Sequence, residues 1–581
     1  MSTDVFEKVI ELAKRRGFFW PSYEIYGGVA GFYDLGPLGV RLKNKIIELW
    51  REYFIQKHQE LVVELETPII GPAKVYEASG HVEHFTDPIT ECLRCGRKYR
   101  ADHLIEEKLG INVEGLTPYE LTELIRSKGI RCPSCNGELS EVKLFSLLFK
   151  TTIGPYHTNI GYLRPETAQG IFVSFKRVHE CMRKKLPLGI AQVGKVARNE
   201  ISPRQAMIRL REFTIAEMEF FFDPEDPNQG GYLEEYLARV ENEKLRIRRH
   251  GVNDIIEAKV RELIEEKIVT TPWLAYWMAV SNQFVKELGV SESNIVFVEK
   301  GPTERAHYSI QTFDQMVKVS RFGWVEVSGH SYRTDYDLAR HMKYSGQDLT
   351  VFKQYEEVKV VRKKEVVIDI PWLGRTFKSK AKTILEELKR VDPIQIEKEV
   401  KEKGYVTIAG EKIPADRIRI VEKEVKETGR RFIPHVVEPS FGVERLIYVT
   451  LEYAYTEKNG RTILRLPRKL APYEAAVFPL TRDERLVKLA RKLWMQLISK
   501  GLYVIYDDDG SIGRRYARVD EIGVPVAVTV DYQSLEDNTV TLRDRDTWEQ
   551  IRVPIDKVYD AIISFIYQGL SLHKLQEKIN C

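Results

Sequence analysis

Two separated runs of this chain set arginines and acids around short apolar segments. The first, Gly194-Lys-Val-Ala-Arg-Asn-Glu-Ile-Ser-Pro-Arg204, leads into Arg209-Leu-Arg-Glu-Phe-Thr-Ile-Ala-Glu217 and ends in Met218-Glu-Phe-Phe-Phe222. An Arg-x-Glu, a proline-containing loop and then Arg-x-x-x-Phe suit a nucleoside triphosphate. A guanidinium offers phosphate a rigid fork, and an aromatic ring can stack on a base. Taken alone, the run is equally a charged hairpin with solvated faces. The second run, Val437-Glu-Pro-Ser-Phe-Gly-Val-Glu-Arg445, reads as a strand, a glycine-containing turn and a helix that opens with an arginine. Backbone amides at such a turn favour an anionic ligand. A third pattern is Cys92-x-x-Cys95 with Cys132-x-x-Cys135, two pairs that favour a four-thiolate structural zinc over four free thiols. His81 and His84 have no further ligand pattern, and Cys181 and Cys581 have no partner pattern.

These residues need elements to hold them. Leu42, Ile46, Leu49, Trp50, Tyr53 and Phe54 recur at helical spacing, predicting a helix from Val40 to about Glu60 and then a strand, Leu61 to Pro68. Residues 91–145 read as an insertion bounded by the cysteine pairs, with a helical excursion around Pro118 to Ser127. Strand-rich sequence returns over 146–223, and Gly231 to about Leu288 reads as helical and charged. Residues 356–430 are heavy in Lys and Glu and read as a charged insertion ahead of the second run. Past a boundary near Leu470–Tyr473, strands Ala475–Leu480, Leu502–Tyr506 and Val526–Val530 alternate with helices Glu484–Ser499 and about Asp556–Lys578. That alternation predicts a compact α/β domain over 471–581.

Composition narrows the classes. A chain of 581 residues with 43% hydrophobic content holds several cored domains. A net charge of +4 is small for that length, so any nucleic acid must be met by local basic patches. No apolar run reaches a membrane span, and the acidic start lacks a signal-peptide pattern. Six cysteines in so long a chain suggest no disulfide framework and point to a reducing cytoplasm.

The two arginine-bearing runs resemble motifs 2 and 3 of class II aminoacyl-tRNA synthetases, with the helix from Val40 as motif 1. Phe19-Trp-Pro-Ser-Tyr-Glu-Ile-Tyr-Gly-Gly-Val-Ala-Gly-Phe-Tyr-Asp-Leu-Gly-Pro-Leu-Gly39, Ser79-Gly-His-Val-Glu-His-Phe-Thr-Asp-Pro88, Arg164-Pro-Glu-Thr-Ala-Gln-Gly170 and Ser511-Ile-Gly-Arg-Arg-Tyr-Ala-Arg-Val-Asp-Glu-Ile-Gly523 narrow the match. They resemble the glycyl-tRNA synthetases of the homodimeric archaeal and eukaryotic type, across nearly the whole chain. The resemblance implies an α+β catalytic domain on a mixed, mostly antiparallel sheet, over 1–90 and 146–470. It adds a zinc-ribbon-like insertion (91–145), the charged insertion (356–430) and a C-terminal α/β anticodon-binding domain (471–581). It implies ATP-dependent attachment of glycine to tRNA(Gly) through a glycyl-adenylate, by a cytoplasmic homodimer with no membrane partner. A proline, threonine or histidine enzyme, or a non-catalytic nucleic-acid-binding relative, is the alternative.

Residue by residue, the resemblance places Arg198, Asn199, Glu200, Arg209, Leu210, Phe213, Glu326, Val327 and Arg445 at ATP, with Arg198 and Arg445 on its phosphates. It places Arg100, Glu166, Glu217, Glu438 and Ser440 at glycine, and Glu326 with Glu438 on Mg²⁺. Arg514, Arg515 and Arg518, beside Asp520 and Glu521, are expected at the anticodon. One departure is Tyr332, which stands where the family has a short polar side chain and so bears on the pocket wall.

Overall fold

The computed structural model describes residues 4–113, 115–201, 203, 205–388 and 391–580. Arg204 and Cys581 lie outside the described residues. The chain divides into two compact units, 1–349 with 434–581, and 350–433.

The first unit is built on nine strands: β1 (Val62–Glu64), β2 (Leu188–Ala197), β3 (Glu212–Phe222), β4 (Lys244–Arg248), β5 (Ile255–Lys259), β6 (Ile295–Glu299), β7 (Gln311–Val319), β8 (Gly323–Thr334) and β9 (His435–Gly442). Their order is β5-β4-β6-β7-β8-β9-β3-β2-β1. Only β4–β6 and β2–β1 run parallel. One face packs on helices α1 (Pro37–Phe54) and α3 (Pro272–Glu287), and α2 (Ala168–Cys181) and α4 (Tyr336–Ser345) contact one another beside the sheet. Helix α5 (Val443–Ala454) follows β9 directly. Two strands, β4 and β5, lie in the stretch the charged pattern marked as helical. Their alternation is short and their outward residues are Lys, Arg and Glu, so period-2 burial was masked.

Pro37 occupies the first turn of α1, where a missing N–H costs nothing. The helix ends at Phe54, earlier than its apolar periodicity suggests, and a short 3₁₀ turn follows. Its apolar face, Leu42, Ile46, Leu49, Trp50 and Phe54, is buried in the chain's own core, with Phe54 stacked on Trp277 of α3.

Residues 471–580 carry a second core around five strands, β10 (Ala475–Pro479), β11 (Val504–Tyr506), β12 (Val526–Val530), β13 (Thr539–Asp544) and β14 (Gln550–Pro554), in the order β11-β10-β12-β13-β14. Helices α6 (Glu484–Ser499), α7 (Ile512–Glu521) and α8 (Val558–Tyr567) belong to this region. The single last helix expected from the pattern is two, because Gly569 takes a positive φ between α8 and Leu572–Asn580. In the second unit, a long antiparallel ribbon, Val351–Ile368 with Ile418–Phe432, leads to a small helix-and-hairpin core around Leu373, Ile384 and Ile396. Residues 366–368 are the end of that ribbon strand, and a helix starts at Ile370.

Candidate active site

A cavity of about 340 Å³ opens on the face of the sheet opposite α1, floored by β3, β8 and β9. Gly194 lets its frame close. A Cβ there would meet Arg164 Nη2 at 2.1 Å, and Arg164 donates to the carbonyls of Lys195 and Thr67 at 2.8 Å each. The guanidinium thus ties the segment before α2 to β2 at the first motif.

At one end the cavity is cationic and aromatic. Arg198, Glu200, Arg209, Leu210, Phe213, Glu326 and Arg445 all line it. Arg198 donates from Nε to the Pro165 carbonyl at 3.0 Å, and its guanidinium lies 5.4 Å from the Phe213 ring centroid. Arg209 and Glu200 pair at 2.9 Å. Arg445, in the first turn of α5, donates to the carbonyls of Ile208 (2.9 Å) and Glu326 (2.8 Å) and pairs with the Glu326 carboxylate at 3.1 Å. Enclosure alone would raise the Glu326 carboxyl, but Arg445 and Lys300 outweigh it and hold it below the usual range. Lys300 pairs with Asp314 at 3.1 Å; the burial of Asp314, then the nearby Glu326 charge, pushes its carboxyl up to about 7.

The other end is acidic and sealed. Glu166, Glu217, Glu438 and Ser440 line it, with Gly329 and Ser331. Glu217 accepts from the backbone N–H (2.9 Å) and hydroxyl (2.6 Å) of Thr167, at the N-terminus of α2, where the helix dipole favours a carboxylate. Arg333 is fully buried and binds Asp337 through Nε (2.8 Å) and Nη2 (3.0 Å) and Glu438 through Nη1 (2.8 Å). Its guanidinium lies 3.6 Å from the Tyr308 ring centroid. Burial works against ionised Glu166, yet His81, 3.5 Å away, and Arg333 hold its carboxyl well below the ordinary range. Glu438 goes the other way: burial, reinforced by Glu217 and Glu166, pushes it well above, against the pull of Arg333.

Several expected residues are elsewhere. Arg100 does not reach the cavity; Asp87 (3.1 Å) and Asp102 (2.5 Å) hold its guanidinium. Asn199 is outside the lining, its backbone N–H on the Leu147 carbonyl. Val327 places its side chain in the hydrophobic core. Glu326 and Glu438 cannot jointly grip one Mg²⁺. Glu438 is opposite Ser331, and Glu326 is five residues back along β8, roughly 15 Å at strand spacing. Moreover, Glu438 is raised and engaged by Arg333.

Tyr332 does not shape the pocket wall. The β7–β8 register shifts between Gln315 and Met316, leaving Val327 as an extra residue on β8. A bulge of this kind re-aims side chains beside active sites. It puts Gly329 and Ser331 on the cavity with Glu326. Tyr332 turns to the other face, with its ring on Phe222 and its hydroxyl 2.6 Å from His435 Nδ1. Arg333, Asp337, Lys300, Asp314 and Tyr308 are the site residues that motif reading passed over. An arginine within a strand and an aspartate four residues on was the available signal for a buried pair.

In the insertion, the sulfurs of Cys92 and Cys135 are 3.4 Å apart and those of Cys95 and Cys132 3.7 Å apart, and all four lie within 4.8 Å of one another. Ligands of a tetrahedral thiolate site with bonds of about 2.3 Å are about 3.8 Å apart. A Cβ on Gly137 would meet Cys92 Sγ at 2.9 Å and Cys135 Sγ at 3.3 Å.

In the C-terminal domain, Arg515 is buried and donates to the carbonyls of Pro479, Asp508 and Gly510, so it braces α7 to the loop before it. Arg518 pairs with Asp507, Asp520 with Arg543, and Glu521 with Arg15 and Arg16. Internal ion pairs and, for Arg515, backbone carbonyls therefore use all of that expected anticodon cluster except Arg514, which is exposed.

Residues 157–454 match the tRNA synthetase class II core domain (G, H, P, S and T), and residues 474–564 match an anticodon binding domain. The chain is 60% identical over 581 residues to a glycine–tRNA ligase of Aeropyrum pernix, covering 99% of each. It is 48% identical to that of Pyrococcus furiosus (98% of this chain, 100% of the relative). The chain belongs to the glycine–tRNA ligase family of class II synthetases. A more distant relation, at 42% identity over 96% of this chain and 99% of the relative, is the glycine–tRNA ligase of Methanococcus vannielii. Among solved structures, a prolyl-tRNA synthetase from Cryptosporidium parvum complexed with L-proline and AMP has the same fold, with TM-score 0.51 and 13% identity over 100% of this chain and 82% of that one.

Proposed function

We propose that the chain activates glycine with ATP and transfers it to tRNA(Gly). The observation that carries this reading is the cavity's polarity: arginines and a phenylalanine at one end and sealed carboxylates at the other. In the first step a glycine carboxylate oxygen bonds to the α-phosphorus as the bond to pyrophosphate breaks. Arg198 bridges the two anions and offsets the charge that builds on phosphorus. Arg445 and Arg209 hold the outer phosphates, Phe213 stacks on adenine, and Glu200 orients Arg209. Glu166 and Glu217 take the ammonium, with Ser440 beside it. In the second step a ribose hydroxyl of the tRNA end attacks the acyl carbon and AMP leaves.

Glu326 is an ionised oxygen donor facing the nucleotide end and fits Mg²⁺ arriving with ATP. The metal would screen the departing pyrophosphate. The four cysteines fit structural zinc, with no open position for substrate. The match to an anticodon binding domain supports anticodon reading by residues 474–564, with Arg514 the arginine of its cluster left to meet phosphate. Homodimerisation and a cytoplasmic location rest on family membership; among the described residues no helix is long and apolar enough to cross a membrane. Charging of tRNA(Gly) with labelled glycine tests the reading, and charging with proline, threonine or histidine in its place refutes it.

A further inference from the structure

Beneath the cavity lies a carboxyl group that none of these roles uses. Glu219 is on β3, two residues past Glu217, and is fully buried. Neither of its oxygens has a hydrogen-bond partner. The β3–β9 register sets Glu217 against Ser440 and Phe220 against Val437, so Glu219 faces Glu438 directly across the sheet. Carboxylate oxygens of Glu217, Glu219 and Glu438 lie within 4.8 Å of one another. On the other side, Gln192 of β2 is opposite Glu217 and diagonal to Glu219, and its buried Oε1 is also without a partner.

Like charges directly opposed across strands destabilise a sheet. An ionised carboxylate sealed from water without a hydrogen bond costs far more. The charged groups facing Glu219 are Glu217 on its own strand, Glu438 on β9, Arg333 on β8 and Asp337 on α4; Glu166 acts on Glu438 from the segment before α2. Arg333 is the one cation these interactions name among five carboxyls, and Glu438 and Asp337 already engage it. Two acids so placed share a proton rather than ionise together. The protonated form gains an O–H donor, with the Glu438 carboxylate opposite it and the unpaired Gln192 oxygen on its diagonal.

We propose that Glu219 and Glu438 hold one proton between them as a carboxylic acid–carboxylate pair, and that Glu219 is the positioning residue that keeps Glu438 turned to Arg333 beneath the amino-acid ammonium. Burial raises both carboxyls well above their ordinary values, in keeping with the pair. The positioning half of the inference rests on the assignment of this cavity to glycine; the shared proton does not.

Infrared difference spectra of the ligand-free full chain at neutral pH test the proton. Wild type minus Glu219→Gln shows a protonated-carboxyl C=O band; no such band overturns the pair whatever the cavity binds. Pyrophosphate exchange tests the positioning. Glu219→Gln, neutral and still a donor, keeps the glycine KM within about threefold of wild type, whereas Glu219→Leu raises it about tenfold or more with the ATP KM within about twofold. A Gln variant as impaired as Leu, or an ATP KM that rises in step, overturns it. If Glu219→Leu does not fold, Glu219→Asp, which withdraws the carboxyl by one methylene, is held to the same split. Wild-type exchange that ignores glycine would refute the glycine assignment and leave the infrared result standing.

Discussion

Arg333 is the keystone of the acidic end, and its replacement has a cost that the structure lets one work out. The guanidinium is fully buried, with two bonds to Asp337 and one to Glu438, and Glu166 at 3.6 Å. Removing one partner of a buried ion pair typically costs about 3–5 kcal/mol, because the other charge is left uncompensated. Arg333→Leu should lie in that range. Arg333→Lys keeps the charge but loses the fork; it cannot bind both Asp337 oxygens and reach Glu438. Losing charge-assisted bonds worth about 1.5–3 kcal/mol each, partly offset by the retained charge, should leave it about 2–3 kcal/mol less stable. The Leu deficit should also depend on pH. Without the cation the folded-state carboxyl of Glu438 rises further, so protonation relieves the site. Stability is then better kept at low pH and lost as pH rises through that value. A chain of several domains does not unfold in one step, so native-state hydrogen exchange of β8 and β9 amides is the appropriate assay. A Leu deficit below about 1 kcal/mol, or one that is the same at acid and neutral pH, would refute the reasoning.

The other perturbations separate the parts of the site. Arg198→Ala should remove at least about 3 kcal/mol of transition-state stabilisation, a hundredfold or more in exchange rate, with folding intact; near-normal exchange removes Arg198 from the phosphate. Glu217→Gln should raise the KM for glycine far more than that for ATP, and the opposite split would assign Glu217 to the nucleotide. Gly137→Ala should lower zinc content from about one per chain and loosen the insertion, because its Cβ would press on two cysteine sulfurs; elemental analysis of protein prepared without chelator reads this, and wild type with no zinc would overturn the metal assignment. The anticodon role is tested on the full chain, since Glu521, Glu474 and Tyr473 anchor the C-terminal domain to Arg15, Arg16, Lys45 and Arg41. Changing the anticodon bases of tRNA(Gly) should cut charging and leave pyrophosphate exchange alone; unchanged charging places recognition elsewhere.

The nucleotide end was legible from sequence because its residues are local to two strands and their turns. The resemblance of their motifs to the family placed Arg198, Arg209, Phe213 and Arg445 at ATP, and the structure gathers them on one cavity. The acidic end was legible only in part. Glu166, Glu217, Glu438 and Ser440 stand in recognisable blocks, but their charge balance depends on Arg333, Asp337 and Glu219, which come together only through strand register. Tyr332 stands where the family has a short polar side chain, yet it faces away from the cavity, because Val327 is an extra residue on β8 and reverses the faces. The Arg514–Arg518 cluster misled in another way. On a helix, an arginine-rich face looks the same whether it meets RNA or its own carboxylates. Here Asp507 and the loop carbonyls around it take Arg515 and Arg518.

The central claim is that this cavity activates glycine and no other amino acid. Pyrophosphate exchange on the purified full-length chain, with each amino acid supplied separately, tests it most directly. Exchange should depend on glycine, fall to background with alanine, proline, threonine and histidine, and require no tRNA. Exchange supported by proline, threonine or histidine, or by none of the amino acids while the chain is folded, would contradict it.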